Sequence, residues 1–226
     1  MHEESNTNGI QLGGEFIKNN PLAVRMMEWV SGGDAVSVQM FLDLSCHPHR
    51  GSTREFDAPS VINHAMAREA FMIYFGFAMI VSETIDELLP YGPFLEVGAG
   101  SGYLSRLLAN RGADVIATDI IDQQHYGFTH GRWFDIVKMD AADAAARHPD
   151  RTVLMSWPCM GEDWSAQVLD AIVPGQKVLH IGEGRGGCTG CARLYDLLGT
   201  CFERVEGISL PRFYGMHDAA AIYRRR

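Results

Sequence analysis

The pattern of apolar and polar positions is clearest between residues 94 and 119. The segment 94–97 is a short apolar run that predicts a buried strand, and three closely spaced glycines follow it. An amphipathic helical period comes next, and a second apolar run closes at Asp119. Strand, glycine turn, helix and strand in this order predict one mononucleotide-binding half of a doubly wound sheet. Such a unit holds an adenosine-containing ligand at the carboxyl ends of its strands.

Strand and helix patterns continue to alternate after this unit, which indicates a parallel sheet. We predict further strands over 135–138, 152–156, 177–181, 202–208 and 219–224, and helices over 141–147 and 163–172. The fold class is therefore α/β, with a doubly wound, mostly parallel seven-stranded sheet.

The chain before residue 94 predicts an N-terminal helical cap. Residues 1–20 have no apolar period and are rich in asparagine and glycine, so we expect them to be disordered or loosely attached. We expect an N-terminal segment over 1–60 and a Rossmann-like domain over 61–226. Predicted helices cover 22–30, 36–44, 61–77 with Ser60 as its N-cap, and 83–89 with Ser82 as its N-cap.

The glycine turn reads E-x-G-x-G-x-G, with Glu96, Gly98, Gly100 and Gly102. A dinucleotide fingerprint is G-x-G-x-x-G, and its third small residue would fall on Tyr103, which is too large. NAD places a pyrophosphate on the helix N-terminus, whereas S-adenosylmethionine (SAM) carries a sulfonium and an α-ammonium. A carboxylate at the end of the first strand suits that ammonium, directly or through water, and glycines let the backbone approach the ligand.

Asp119 lies where an acidic side chain would accept both ribose hydroxyls. The ordered set of strand, E-x-G-x-G-x-G, helix, strand and aspartate resembles the first motif of the class I SAM-dependent methyltransferases. The chain is also similar to an uncharacterised group of bacterial SAM-methyltransferase-like proteins. It departs from that group at Cys159, where the group usually has a second proline, and at Cys191, where the group usually has an acidic residue. The resemblance implies SAM as cofactor and a sheet that ends in an antiparallel hairpin. The matching stretches are FGFAMIVSE, FLEVGAGSGYLSRLLANRGADVIATD, HPDRTVLMSWP, IGEGRGGCTG and LPRFYGMHDAAAIYRRR.

Two further strand ends carry candidate site residues. Asp140 stands where class I methyltransferases commonly place an acidic residue on the adenine amino group, and it can also cap the helix at 141–147. Ser156 and Trp157 end the fourth strand, where the transferring methyl emerges, and Trp157 can stack on an acceptor or pack in the core. The predicted cofactor site comprises Glu96, Gly98, Ala99, Gly100, Gly102, Asp119, Ile120, Asp140, Ala141, Ser156 and Trp157.

Three residues are candidate general bases for a hydroxyl acceptor: Glu183, His180 and Tyr74. His180 and Glu183 stand where the fifth strand enters a glycine-rich loop, and the alternative for His180 is a buried core histidine. An amine acceptor can lose its proton without a dedicated base. The pair His217 and Asp218 is interpreted as a turn of the terminal hairpin rather than as catalytic.

Charge and hydropathy limit the partners. The net charge of −9 argues against a nucleic-acid partner, because binding a phosphate backbone needs a basic face. The longest apolar run, 71–81, is too short to span a bilayer. Glu3 and Glu4 stand where a signal peptide would be basic. We therefore expect a cytoplasmic protein that has no membrane partner.

The five cysteines, an odd number, do not indicate a disulfide framework. Cys188 and Cys191 have C-x-x-C spacing, and Cys46, His47 and His49 would complete a four-ligand zinc site. One pair and a distant cluster form a weak pattern, so we predict reduced thiols and no metal. A redox C-x-x-C at the start of a helix is a further alternative.

These patterns predict a SAM-dependent methyltransferase that acts on an O or N atom of a small or medium organic acceptor. Most of its rate would come from holding the acceptor in line with the methyl in a pocket without water. The alternatives are a non-catalytic SAM-binding protein, an NAD(P)-dependent oxidoreductase and a methyltransferase with a macromolecular acceptor. An aromatic wall over the acceptor is predicted from Phe71, Tyr74, Phe75 and Phe77, of which at least two are expected in the helical core.

Overall fold

The computed structural model describes residues 68, 71–72, 75–120, 132–213 and 215–226. Its strands form one seven-stranded sheet, in which the first five are parallel and the last two are antiparallel to their neighbours. The strands are β1 (Phe94–Val97), β2 (Val115–Asp119), β3 (Ile136–Lys138), β4 (Thr152–Ser156), β5 (Lys177–Gly182), β6 (Phe202–Ile208) and β7 (Ala219–Arg225). Their order is β3-β2-β1-β4-β5-β7-β6, which confirms the predicted fold class.

Five helices with described bounds pack on the two faces of this sheet, and a 3₁₀ turn over Leu89–Tyr91 follows the first of them. No helix among the described residues is long and apolar enough to cross a membrane. The helices are α1 (Ser82–Leu88), α2 (Tyr103–Asn110), α3 (Ala141–Arg147), α4 (Trp164–Ala171) and α5 (Ala192–Cys201).

Neighbouring strand residues point to opposite faces, and the structure has two cores because both faces are covered. On one face, Phe94 of β1 and Leu154 of β4 pack with α1 and α2. On the other face, Leu95 and Val153 pack with α3, α4 and α5. The near-continuous apolar strands of the sequence reflect this burial on both sides.

The strand bounds agree with the predictions to within one residue, and helix α3 has the predicted bounds. Helix α4 is one residue shorter at each end than the predicted 163–172. The carboxyl ends of β1 and β4 meet where the strand order reverses, and this is the point at which doubly wound sheets bind their ligands.

Two predictions before β1 were wrong. The helix expected over 61–77 is helical at residues 68, 71 and 72 but does not extend to 77, because Phe75 is in a turn and Gly76 has a φ of +149°. Ser82 is the first residue of α1 rather than its cap: Val81 is the N-cap residue, and the Ser82 hydroxyl donates to Glu83 at 2.8 Å. The predicted helices over 22–30 and 36–44 lie outside the described residues, as does the N-terminal segment 1–60.

Helix α5 was missed by the sequence analysis. It follows directly on the glycine-rich loop, with Cys191 as its N-cap residue. Its inward face carries Leu194 and Leu198, four residues apart, and these two leucines are the signal that would have located it.

Candidate functional site

A cavity of about 290 Å³ lies at the carboxyl ends of the central strands. The glycine turn and the ends of β2 and β3 form one side, which we call the cofactor half. The segment before α1, the start of α2, the residues after β4 and the glycine-rich loop form the other side, which we call the acceptor half after the role predicted for this region. The cofactor half is lined by Glu96, Gly98, Ala99, Gly100, Ser101, Asp119, Ile120, Met139, Asp140 and Ala141. The acceptor half is lined by Phe75, Gly76, Phe77, Ala78, Ile80, Tyr103, Trp157, Pro158, Cys159, Met160 and Cys188.

The glycine turn owes its shape to three left-handed residues. Gly98, Gly100 and Gly102 have φ values of +65°, +54° and +73°, which residues other than glycine adopt only at a cost in free energy. The N–H of Gly100 donates to the Asp119 carboxylate at 2.9 Å. The structure therefore joins the two ends of the predicted motif, and the aspartate lies beside the turn on the cavity wall.

Close packing also requires two of these glycines. A Cβ on Gly102 would lie 2.9 Å from Cβ and 3.2 Å from the backbone nitrogen of Phe134. A Cβ on Gly98 would lie 3.0 Å from the Trp164 ring. The turn is thus confined from both sides by neighbouring segments.

Glu96 is a buried carboxyl on the cavity wall. It accepts hydrogen bonds from the Ser105 backbone N–H at 3.1 Å and from the Ser105 hydroxyl. Burial raises the pKa of Glu96 to about 7, against the opposing effect of these hydrogen bonds. A cationic ligand group nearby would favour the ionised form, so this residue fits the α-ammonium of SAM.

Asp140 lies at the opposite end of the cofactor half. Its carboxylate caps α3 by accepting from the N–H groups of Ala142 at 2.9 Å and Asp143 at 3.1 Å. The predicted capping role is confirmed. Ile120 also lines the cavity and is 53% exposed, so it offers apolar surface to a planar ring.

Trp157 dominates the acceptor half. Its φ of +53° is left-handed, which is rare for a bulky residue. Its backbone N–H donates to the Ile181 backbone carbonyl at 2.8 Å. Its ring stacks on Phe77 with centroids 5.2 Å apart, and the Arg68 guanidinium lies 5.5 Å from the ring centroid. Ser156, one residue earlier, also lines the cavity.

Asp218 was not recognised as a partner of this wall by the sequence analysis. It is fully buried, and its Oδ1 accepts from the Trp157 indole N–H at 2.9 Å. Burial raises its pKa to about 6, against the effect of that hydrogen bond. The two residues are 61 positions apart in the chain, and no local sequence signal joins them.

Of the three candidate bases, the two that the structure describes, His180 and Glu183, do not line the cavity. His180 is buried on the face of β5 that packs against α5, edge-on to Tyr195, and it is not a lining residue of the cavity. Burial lowers the pKa of His180 to about 4, so its imidazole is neutral at physiological pH. Its surroundings are those of the alternative interpretation, a core histidine. Tyr74 lies outside the described residues.

Glu183 holds two loops together. Its carboxylate accepts from the backbone N–H groups of Cys188 at 2.7 Å and His217 at 3.0 Å. These hydrogen bonds, that of Cys188 above all, lower the pKa of Glu183. The residue is buried and does not line the cavity, so it connects the glycine-rich loop to the loop before β7.

The C-x-x-C pair is divided between two environments. Cys188 is exposed and lines the acceptor half, whereas Cys191 precedes α5 with its sulfur 3.8 Å from an Asp163 oxygen. No group of three or more candidate metal ligands occurs among the described residues. Cys46, His47 and His49 lie outside them.

The described charged residues that line the cavity are all acidic. Four carboxylates line it, and none of its described lining residues is Lys, Arg or His. Such a cavity attracts a cationic ligand and repels a pyrophosphate. The four are Glu96, Asp119, Asp140 and Glu162.

No family model matches this chain, and no curated protein matches it. Solved structures with a similar fold include magnesium protoporphyrin IX methyltransferase from Synechocystis, at 14% identity and a TM-score of 0.47, covering 76% of this chain and 87% of that one. A SAM-dependent methyltransferase from Anabaena variabilis has 14% identity and a TM-score of 0.44, with 64% and 84% covered. An rRNA methylase from Streptococcus thermophilus has 14% identity and a TM-score of 0.39, with 63% and 93% covered.

These likenesses are too distant to bear on activity or substrate. The sequence resemblance implied a sheet that ends in an antiparallel hairpin, and β6 and β7 form that hairpin, with β7 placed between β5 and β6. The chain has the class I SAM-dependent methyltransferase fold.

Proposed function

We propose that this chain is a SAM-dependent methyltransferase that acts on an O or N atom of a small or medium organic acceptor. The observation that carries the proposal is the charge of the cavity, which has four carboxylates and no described basic lining residue. SAM brings a sulfonium and an ammonium to its site, whereas NAD(P) brings a pyrophosphate. The electrostatics of the cavity therefore favour SAM.

The cofactor half has a group for each polar part of SAM. Glu96 would hold the α-ammonium, and Asp119 would accept the ribose hydroxyls. Asp140 and the Ala141 N–H would receive the adenine edge, and Ile120 would cover the adenine ring. This arrangement follows the order of the strand ends along the sheet, β1, β2 and then β3.

The acceptor half serves the transfer by excluding water and orienting the acceptor. SAM supplies an electrophilic methyl group on its sulfonium when bound. Trp157, Pro158 and Phe77 present apolar surface to the other side of the cavity, where they would hold the acceptor in line. For a hydroxyl acceptor, Tyr74 is the first base to test, because the described contacts of His180 and Glu183 are structural.

Calorimetric titration with S-adenosylhomocysteine (SAH) tests the cofactor. The wild type should bind SAH with a micromolar dissociation constant and should not bind NADH. Asp119→Ala should weaken SAH binding about 100-fold or more, because two hydrogen bonds to a charged group are lost. Asp150→Ala, which removes an exposed carboxylate away from the cavity, should leave binding unchanged.

Each alternative has a distinct outcome. NADH binding with no SAH binding by a folded wild type would replace the methyltransferase by an oxidoreductase. SAH binding without methyl transfer from radiolabelled SAM to any acceptor, across amine, phenol and carboxylic acid panels, would favour a non-catalytic SAM-binding protein. Salt-sensitive methylation of RNA or DNA would establish a macromolecular acceptor, which the net charge of −9 disfavours.

A further inference from the structure

The backbone at Trp157 is held in an unfavourable conformation. Its φ of +53° is one that a bulky side chain rarely adopts, and among the described residues it is the one non-glycine with positive φ. Conformations of this kind persist where the surroundings fix them, and they occur often at functional sites. Here the Ile181 carbonyl fixes the backbone of Trp157, and Phe77 stacks on its ring.

The indole N–H of Trp157 donates to a buried carboxylate. Asp218 comes just before β7, is fully buried, and accepts this N–H on Oδ1 at 2.9 Å. Its other oxygen, Oδ2, is buried and has no hydrogen-bond partner among the residues that the structure describes. A buried carboxylate with an unpartnered oxygen is costly, and a purely structural contact to an indole would not need a charge.

We propose that Asp218 is a positioning residue, whose carboxylate fixes the Trp157 indole in the cavity wall and loosens it on protonation. The proposal rests on the proposed function only because SAH is one of its probes. A charge-assisted hydrogen bond is roughly twice as strong as a neutral one, so the ionised form holds the indole more firmly. The wall would therefore be firm at neutral pH and looser in mild acid.

Several charged groups face Asp218. Glu183 raises its pKa, whereas Arg68 and Arg212 lower it, and burial outweighs all three. The Arg212 side chain donates to the Asp218 backbone carbonyl at 2.7 Å, and His217 lies next to Asp218 with Nδ1 3.5 Å from the Glu183 carboxylate. The net result is a pKa of about 6, within reach of a titration on the folded protein.

The first test follows the Trp157 indole by NMR in the full chain labelled with ¹⁵N-tryptophan. Trp157→Phe assigns the resonance. In the wild type, the indole proton should shift with pH around a midpoint near 6. The midpoint should vanish in Asp218→Asn, whose amide oxygen can still accept the N–H, and should remain in His217→Asn, which removes the adjacent imidazole.

The second test compares SAH binding at pH 8, where Asp218 is ionised. Asp218→Asn should bind within about threefold of the wild type, whereas Asp218→Ala, which has no acceptor, should bind about tenfold more weakly. Rescue by the amide separates positioning from general packing. If Asp218→Ala does not fold, the NMR titration of Asp218→Asn still decides.

Three results would overturn the proposal. They are a Trp157 resonance that does not titrate, a titration that persists in Asp218→Asn or is lost in His217→Asn, and wild-type SAH affinity in a folded Asp218→Ala. If the wild type binds no SAH while the Trp157 resonance titrates as expected, the proposed function fails and the positioning of the indole stands.

Discussion

The two halves of the cavity are built in different ways. The cofactor half is built on the backbone of three left-handed glycines and the N–H groups around them. Carboxylates at the strand ends complete it. The acceptor half is formed mainly by side chains, namely the aromatic rings of Phe77 and Trp157 and the side chains of Cys159, Met160 and Cys188. A wall made of side chains can be changed one residue at a time without altering the sheet. On the proposed function, acceptor specificity would therefore change with these side chains while the cofactor half stays constant.

The largest effect should come from the backbone of the cofactor half. Gly102→Ala combines a left-handed φ with a Cβ only 2.9 Å from Phe134, so it should lower the free energy of unfolding by about 3 kcal/mol and abolish SAH binding. Gly112→Ala is the matched control, because its φ is +85° but its Cβ would meet nothing within 4 Å. It should cost about 1 kcal/mol in urea unfolding. Equal losses would show that packing at Gly102 is unimportant.

The next effect concerns the buried carboxyl of the cofactor half. The pKa of Glu96 rises from 4.5 to about 7 on folding, so the folded state binds its proton more tightly. Its contribution to stability is present below pH 4.5 and is lost as the pH rises through about 7, on the order of 3 kcal/mol in all.

Glu96→Gln should therefore gain stability over the wild type as the pH rises from 4.5 to 8, measured by urea unfolding at each pH. SAH should show the opposite trend, binding the wild type more tightly above pH 7 because the ionised carboxylate attracts its ammonium. Parallel stability curves for the two proteins would contradict the raised pKa.

A smaller effect is expected from His180, which lies outside both halves. Folding lowers the pKa of His180 from 6.5 to about 4. The neutral imidazole therefore contributes to the free energy of unfolding above pH 6.5, and this contribution is lost as the pH falls toward 4. At pH 5 the loss should be roughly 2 kcal/mol. His180→Leu should remove this loss in thermal unfolding and leave SAH affinity unchanged. A tenfold change in SAH affinity would place His180 back in the site.

The smallest effect is predicted for the acceptor half. Phe77→Leu removes the stacked pair with Trp157 and should cost about 1 kcal/mol of unfolding free energy. SAH affinity should stay within about twofold of the wild type. Met160→Ala, which changes a 66% exposed side chain on the same wall, should cost less than 0.5 kcal/mol. A large loss of SAH affinity in Phe77→Leu would show that the halves are not independent.

The difference between the halves also explains what could be predicted from the sequence. The glycine turn, Asp119 and the Asp140 cap belong to short segments in which spacing reports geometry, and the structure shows them in place. Trp157 and Asp218 meet because β7 passes beside β5, and no spacing in the chain encodes that contact. Helix α5 was not predicted because it follows directly on the glycine-rich loop and has only two buried leucines to indicate a helical period.

The strand β7 follows β6 along the chain, yet it lies between β5 and β6. During synthesis, one edge of β5 therefore stays unpaired until β7 leaves the ribosome. Until then β6 also lacks β7, the strand with which it pairs in the described sheet. Because Asp218 comes directly before β7, the contact between Trp157 and Asp218 forms only after this part of the chain has been synthesised. A nascent chain halted before β7 would be prone to edge-to-edge aggregation and would be a natural client for a chaperone.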